Sequence, residues 1–253
     1  MIEKYQIRKV SHKECYPFLL KIHYAKRIPN ICHSFGLFDL EKNVIVGVIT
    51  FGLPPAPTEQ IEWKEFNFLE LNRLCLIKPL ERNVLSYFVS NSLKQLPQNS
   101  VIISYADMDY NHSGYIYQAT NWIYTGIGSV GTKTFVMKDG KERHSRHLHL
   151  IDMNKVKEIK KSRGKHRYFY FIGNKKQRRY FLETLQKRYK ILGYPKDKNK
   201  YYEIKNKIPL QNSLDGFFGT QKSKISSPKL SPTEITSPNP NIKSNSVCRG
   251  EAN

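Results

Sequence analysis

The stretch SYADMDYNHSGYIYQATNWIYTG, residues 104–126, follows a short apolar run with a carboxylate at Asp107 and a histidine at His112. Tyr110, Tyr115, Tyr117, Trp122 and Tyr124 crowd in after them. A carboxylate at a strand end can take up a proton, and rings beside it can stack on a flat ligand or fill a core. A second stretch, LNRLCLIKPLERNVLSYF, reads as strand, loop and helix. The first turn of such a helix has unpaired N–H groups and a partial positive charge, which together suit an anion. Arg82 and Asn83 stand at that entry, Val84, Leu85 and Ser86 form the first turn, and Arg73 lies in the strand before it. A third cluster, His144, His147 and His149, lacks an obvious further ligand for zinc. It reads as a solvated or partner-facing strand, in which His147 and His149 share a face.

The elements that must position these residues alternate along the chain. Ser11–Ala25 has mixed helical periodicity, and HSFGLFDLEKNVIVGVITFG reads as a hairpin turning at Glu41–Asn43. Three prolines make LPPAPTEQ a loop. FLELNRLCLI is a strand, VLSYFVSNSLKQL a helix, VIISYA a strand and GYIYQATNWI a short helix. GTKTFVMKDG with RHLHLI is expected to form a late hairpin. The order predicts an α/β chain with a mixed sheet flanked by helices.

The formal charge is +21, and it is unevenly placed. Residues 1–150 hold 18 Lys/Arg against 13 Asp/Glu, whereas residues 151–253 hold 24 against 8. In KSRGKHRYFYFIGNKKQRRYFLETLQKRYK, cations alternate with rings, a mixture that suits phosphate contacts with stacking or packing. Residues 1–150 are therefore read as a core close to an ordinary enzyme in charge and 151–207 as a basic extension on nucleic acid. Its expected contacts are Lys165, His166, Arg167, Tyr168, Lys175, Lys176, Arg178 and Arg179. From 208 to 253 the Ser-Pro steps and scarce apolar residues predict disorder. The four cysteines are scattered without a CxxC pair, and no signal peptide or membrane span is evident. These features predict a reduced, intracellular protein, cytoplasmic or on DNA.

The strand–loop–helix order resembles the GNAT acyltransferase core, in which that loop holds the pyrophosphate of an acyl-CoA. The loop here departs from the GNAT pattern, because it contains no glycine. HYAKRIP, FGLFD, GVITFGLPP, ELNRLCL, SYAD…HSGYIYQATNWIYTG and KHRYFYF, in that order, resemble the Mom family of phage-type DNA modification proteins. The resemblance spans roughly residues 20 to 195. It implies a GNAT-like fold, acetyl-CoA or a related acyl-CoA as cofactor, and modification of adenine N6 in DNA to a carbamoylmethyl-type (methylcarbamoyl) adduct. Escape from restriction is the associated role.

Carried onto this chain, the family pattern points to His23, Tyr24, Arg73, Asp107 and Tyr117 as catalytic residues. Asp107 would take the proton of the adenine amine, which is a poor nucleophile because its lone pair is delocalised into the ring. Tyr117 would donate to a leaving thiolate or hold a carbonyl, and Arg73 would meet a phosphate or a core carboxylate. His23 and Tyr24 would bind the base or, with Asp107, a metal such as iron. A flipped adenine would find Tyr110, Tyr115 or Trp122 to stack on, although Trp122 and Tyr124 also read as core. In the tail, QNSLDGFF (Gln211, Leu214, Phe217, Phe218) resembles the PIP-box peptide that docks on PCNA-type sliding clamps. Two other readings stay open: an acyltransferase acting on a protein or small molecule, and a noncatalytic DNA-binding, clamp-associated protein.

Overall fold

The structure is a computed structural model and describes residues 2–55, 63–77 and 81–195. The β-branched and aromatic residues of the two hairpin runs form β2 (His33–Asp39) and β3 (Val44–Gly52), joined as the alternation predicts. Ahead of them lie β1 (Tyr5–Lys9) and α1 (His12–Pro17). Ser11 starts α1 with a capping box, its hydroxyl and backbone N–H both bonded to Glu14. One wide turn, Phe18–Ile22, carries the chain from α1 to His23. Next come β4 (Asn67–Leu76), α2 (Val84–Leu93), β5 (Ser100–Asp107), α3 (Tyr115–Ala119) and β6 (Ile123–Gly128). Strands β7 (Lys133–Met137), β8 (Glu142–His144), β9 (Val156–Lys161) and β10 (Lys165–Ile172) precede α4 (Lys175–Arg188).

Seven strands form the main sheet in the order β1-β2-β3-β4-β5-β10-β6. Every neighbouring pair is antiparallel except β4 and β5. That parallel ladder joins only Asn67–Glu70 to Ser100–Ile103, although β4 runs on to Leu76 and β5 to Asp107. The two strands therefore part beyond Glu70 and Ile103. A bulge turns β4 where Thr50 and Phe51 of β3 face Arg73 and Leu71, leaving Asn72 unmatched. Asn72 ties this kink down: it accepts from the Thr50 hydroxyl at 2.6 Å and donates to the Asn30 carbonyl at 2.7 Å. A mixed sheet flanked by helices, with one parted parallel pair, is the GNAT-like architecture expected from the sequence.

Side chains alternate across this sheet. Ile49, Phe51, Leu69, Leu71, Ile102 and Tyr168 pack against α2 and α3 on one face. On the other, Val48 and Cys75 meet Cys15, Phe18 and Leu19 of the α1 segment. Farther along that face, Phe68, Val101, Ile103, Phe169 and Phe171 meet Trp63 and the α4 residues Phe181 and Leu185.

Two expectations are corrected here. Residues 151–207 are not a separate extension, because β10 lies inside the sheet between β5 and β6, and α4 covers it. A boundary at residue 150 would cut through the core. The late hairpin forms between β7 and β8, but Ser145–Leu150 is a 3-10 turn rather than strand. Strands β8, β7 and β9 instead make a second, three-stranded sheet around Phe135, Met137 and Ile151. The predicted tail, 208–253, and the PIP-box-like segment 211–218 lie outside the described residues.

Candidate functional site

The site gathers where β4 and β5 part. Asp107 ends β5 on the face of the sheet that carries Val101 and Ile103, buried to 8% exposure. Its carboxylate accepts from the Asp109 N–H at 3.0 Å and pairs with the Lys165 ammonium at 3.0 Å. Lys165 is its cross-strand partner in β10, so the sheet register itself sets this pair. Lys165, expected on DNA, thus orients the carboxylate.

Arg73 shares its face with Cys75, toward α1. Its Nη1 donates to the Asn72 carbonyl, while Nε is buried without a partner. Among the described residues no carboxylate pairs with Arg73, so the core salt bridge allowed by the sequence is not made. A buried, unpaired N–H costs about 1–3 kcal/mol, which a ligand acceptor would recover. Burial, and then the nearby Arg27, lower the Arg73 pKa.

His23 and Tyr24 follow the wide turn after α1. Burial, reinforced by Arg73, His112 and Arg27, lowers the His23 pKa from 6.5 to about 4, so its ring is neutral at neutral pH. Its Nδ1 accepts from the Ala25 N–H at 3.0 Å, which puts the ring proton on Nε2. Tyr24 stacks on His23 at 4.3 Å and meets Tyr110 at 4.2 Å with its ring tilted by 39°, while His112 is edge-on at 5.5 Å. Tyr24 and Tyr110 remain 41% and 49% exposed, so this cluster presents ring surface to solvent. Crowding around its hydroxyl, then the Asp107 charge, push the Tyr24 pKa up to about 12.

Tyr117 comes from the other face. Its Oη lies 2.7 Å from Ser104 Oγ, which lies 2.8 Å from the Leu71 carbonyl. Ser104 has one proton and the carbonyl can only accept. The tyrosine therefore donates to Ser104, and Ser104 to Leu71, bridging β5 to β4 just beyond their last paired residues. Burial raises the Tyr117 pKa strongly. Gly114 makes this placement possible: it sits at φ +81°, and a Cβ there would lie 2.4 Å from the Tyr168 ring. The Tyr168 hydroxyl donates to the Ser113 carbonyl, fixing the start of α3.

The anion site is present in part. Asn83 caps α2 in a left-handed conformation without a side-chain bond, and among the described residues the Leu85 and Ser86 N–H groups have no partner. Val84 and Leu85 direct their side chains into the core, so only their backbone faces an anion. The Ser86 hydroxyl donates to the Asn83 carbonyl at 3.0 Å, and Arg82 is exposed. Glu81 stands beside this turn, paired with Lys4.

The expected metal set does not fit. Among the described residues no three His, Cys, Asp or Glu side chains gather as metal ligands. His23 presents an N–H rather than a lone pair, Asp107 faces an ammonium, and Arg73 and Arg27 add positive charge.

The DNA residues divide. Tyr168 is fully buried and His166 is 9% exposed, with Nδ1 2.8 Å from the Tyr124 hydroxyl, so neither can touch a phosphate. Arg167 bonds Thr125 and stacks 4.0 Å from the Tyr189 ring centroid. Lys175, Lys176, Arg178 and Arg179 are exposed, but α4 begins at the sheet end where Ile172 pairs with Ser100. Asp107 lies seven residues away along β5, roughly 24 Å at strand rise. Trp122 and Tyr124 are core, and Tyr115 is 58% exposed. Neither Ser104 nor Arg27 is marked as a site residue by the sequence alone. Ser104 meets Tyr117 only through the fold, and no local pattern marks it.

The Mom protein family matches residues 4–196. This chain belongs to the Mom family. Over 193 residues it is 27% identical to "Methylcarbamoylase mom" of Escherichia phage Mu, covering 69% of this chain and 76% of that protein. Among solved structures, the Mom-family chain is similar to a GNAT-family acetyltransferase from Bacillus anthracis (14% identity, TM-score 0.40, 66% of this chain and 95% of the other). It is also similar to ribosomal-protein-S5-alanine acetyltransferase from Vibrio fischeri (9% identity, TM-score 0.39, 67% and 93%). The strand order and the parted β4/β5 pair, rather than these overlaps, carry the fold assignment. No described helix is long and apolar enough to cross a membrane.

Proposed function

We propose that this Mom-family chain is a transferase that modifies the N6 amine of adenine in double-stranded DNA to a methylcarbamoyl-type adduct, protecting the DNA from restriction. The observation that carries the reading is the convergence of Asp107, Arg73, Tyr24 and His23 beside the parted strands, with Tyr117 reaching the same gap from behind. An acyl-CoA is the proposed donor, its phosphates on Arg82 and the first-turn N–H groups of α2. When bound, it supplies an activated carbon.

The base leaves its stack and lies on the ring surface that Tyr24 and Tyr110 leave exposed. The His23 Nε2–H donates to a ring nitrogen of the base, and its low pKa keeps it a neutral donor. The N6 nitrogen then bonds to the thioester carbonyl carbon as its C–S bond breaks, and the proton it loses passes to Asp107. This transfer gives an N6-acyl adenine, and the amide nitrogen of a methylcarbamoyl group requires an amine donor besides the acyl-CoA. Lys165 holds that carboxylate in place. To donate to the group leaving the donor, the Tyr117 hydroxyl turns from Ser104, which keeps its own bond to the Leu71 carbonyl. Arg73 Nε meets a phosphate or carbonyl of either substrate. No step is routed through a metal. The PIP-like segment 211–218 is proposed as a tether to a sliding clamp.

The test is mass spectrometry of nucleosides from the DNA of cells expressing the chain. A modified adenosine is expected with the wild type and not with Asp107→Asn, while duplex affinity is retained. Only four ordinary nucleosides from wild-type cells would overturn the reading.

A further inference from the structure

The second sheet is an insertion. The chain leaves the main sheet at Gly128 and returns at Lys165, and these two residues are cross-strand partners. Lys165 is also the partner of Asp107, so the ribbon grows from the sheet at the level of the carboxylate. It has a small core of its own, Phe135, Met137 and Ile151 with Val156. Its root is bolted to the segment that carries Tyr110. The Arg163 backbone N–H donates to Asp109 Oδ1 at 2.9 Å, and its guanidinium donates to the Met108 carbonyl and Asn111 Oδ1, both at 3.0 Å. The Met108 N–H donates to the Gly164 carbonyl at 3.1 Å. Gly164 turns the chain there at φ +105°, where a Cβ would lie 2.6 Å from Ile127.

This ribbon is strongly basic: residues 129–164 contain ten Lys/Arg and four Asp/Glu. Three of the acids already face cations, as Lys141–Asp139, Lys155–Asp152 and Lys160–Glu142. The remaining cations include an unfavourable pair. Lys133 of β7 and Lys161 of β9 are direct cross-strand partners, both exposed, and among the described residues neither has an ion pair. Like charges placed directly opposite destabilise a sheet. The two lysines stand at the root of the ribbon on its Phe135 face, and Lys161 is two residues from Arg163. The fold tolerates their repulsion, and a bound anion would relieve it.

We propose that the β7–β8–β9 ribbon, through Lys133 and Lys161 at its root, holds the phosphate backbone of duplex DNA and so sets the target base over Tyr24, Tyr110 and Asp107. A small β-sheet ribbon of this kind fits the major groove, the groove that exposes adenine N6. The inference rests on the DNA-modifying reading and goes further, because it assigns the grip to the ribbon rather than to α4. The first cations of α4 lie at the far end of the sheet from Asp107.

The test is equilibrium binding of a labelled duplex to the full chain across a salt series, with thermal melting alongside. Two phosphate contacts contribute about 1.8 to the slope of log affinity against log salt. For Lys133→Ala/Lys161→Ala, the loss of affinity between about 50 and 200 mM salt should therefore shrink roughly twelvefold relative to wild type. Its melting temperature should stay equal or rise, because a repulsion is removed. Lys175→Ala/Lys176→Ala should keep the wild-type slope. Should the double ribbon variant not fold, Lys161→Ala alone must show about half the slope change. A wild type that binds duplex, with ribbon variants of unchanged slope, overturns the ribbon assignment and leaves the proposed function standing. A wild type without duplex affinity overturns both.

Discussion

His23 shows how burial and neighbouring cations shape a single side chain. Its pKa in the folded protein, about 4, lies below the ordinary 6.5. Between those values the unfolded chain binds more protons, so acid favours unfolding. The His23 contribution is fully present above about 6.5, falls as pH drops toward 4, and is gone below that. The span corresponds to stability on the order of 3 kcal/mol. His33, also lowered by burial, adds in the same direction. In urea titrations at pH 7 and pH 4.5, His23→Gln should lose less stability on acidification than the wild type. An identical pH difference in the two proteins would show that His23 is not held neutral. The local motif around His23 and Tyr24 was visible in the sequence, but their environment was not. Arg73 is 50 residues from His23 and His112 is 89, and no spacing rule connects them.

At the scale of elements, the strands and helices between Ser11 and Ala119 follow from period and punctuation, whereas β1 and β6 did not stand out. The hairpin, the α2 helix and the β5 strand fall where apolar spacing puts them. The chain beyond residue 150 was harder to read, because one composition serves two purposes. KHRYFYFI alternates cation with ring, a pattern that suits a nucleic-acid contact and also suits a strand buried on both faces. The structure makes it β10, where Tyr168 and Phe169 are fully buried on opposite faces. The following helix has the same ambiguity: its cations point outward while Phe181 and Leu185 are fully buried. Phe181 packs on Phe171 at 5.1 Å and on Trp63 at 5.7 Å. Phe181→Ala should therefore cost about 3–5 kcal/mol in chemical denaturation, as for a buried ring in any core. A cost below 1 kcal/mol would mean that α4 is an appendage after all, as the charge distribution alone suggested.

Over the whole sheet, the groups proposed to act on the two substrates come from opposite sides. His23, Tyr24, Arg73 and Asp107 approach from the face of α1 and α4. Tyr117 and the first turn of α2 belong to the face of Phe51, Leu71 and Ile102. The parted ends of β4 and β5 are the connection between them, and Ser104 with Leu71 marks its edge. On the proposed reading, this layout keeps donor and DNA from competing for one surface, and the transferred group would have no need to rest on the protein. Two kinetic consequences follow for the proposed reaction. Initial rates at varied donor and duplex should give intersecting double-reciprocal lines, because both substrates must be present together. A CoA analogue lacking the reactive thiol should leave duplex affinity unchanged within about twofold, a difference of roughly 0.4 kcal/mol. Parallel lines would instead require a covalent intermediate on the protein. Displacement of duplex by the analogue would place both ligands on the same face, and the two-sided site would have to be abandoned.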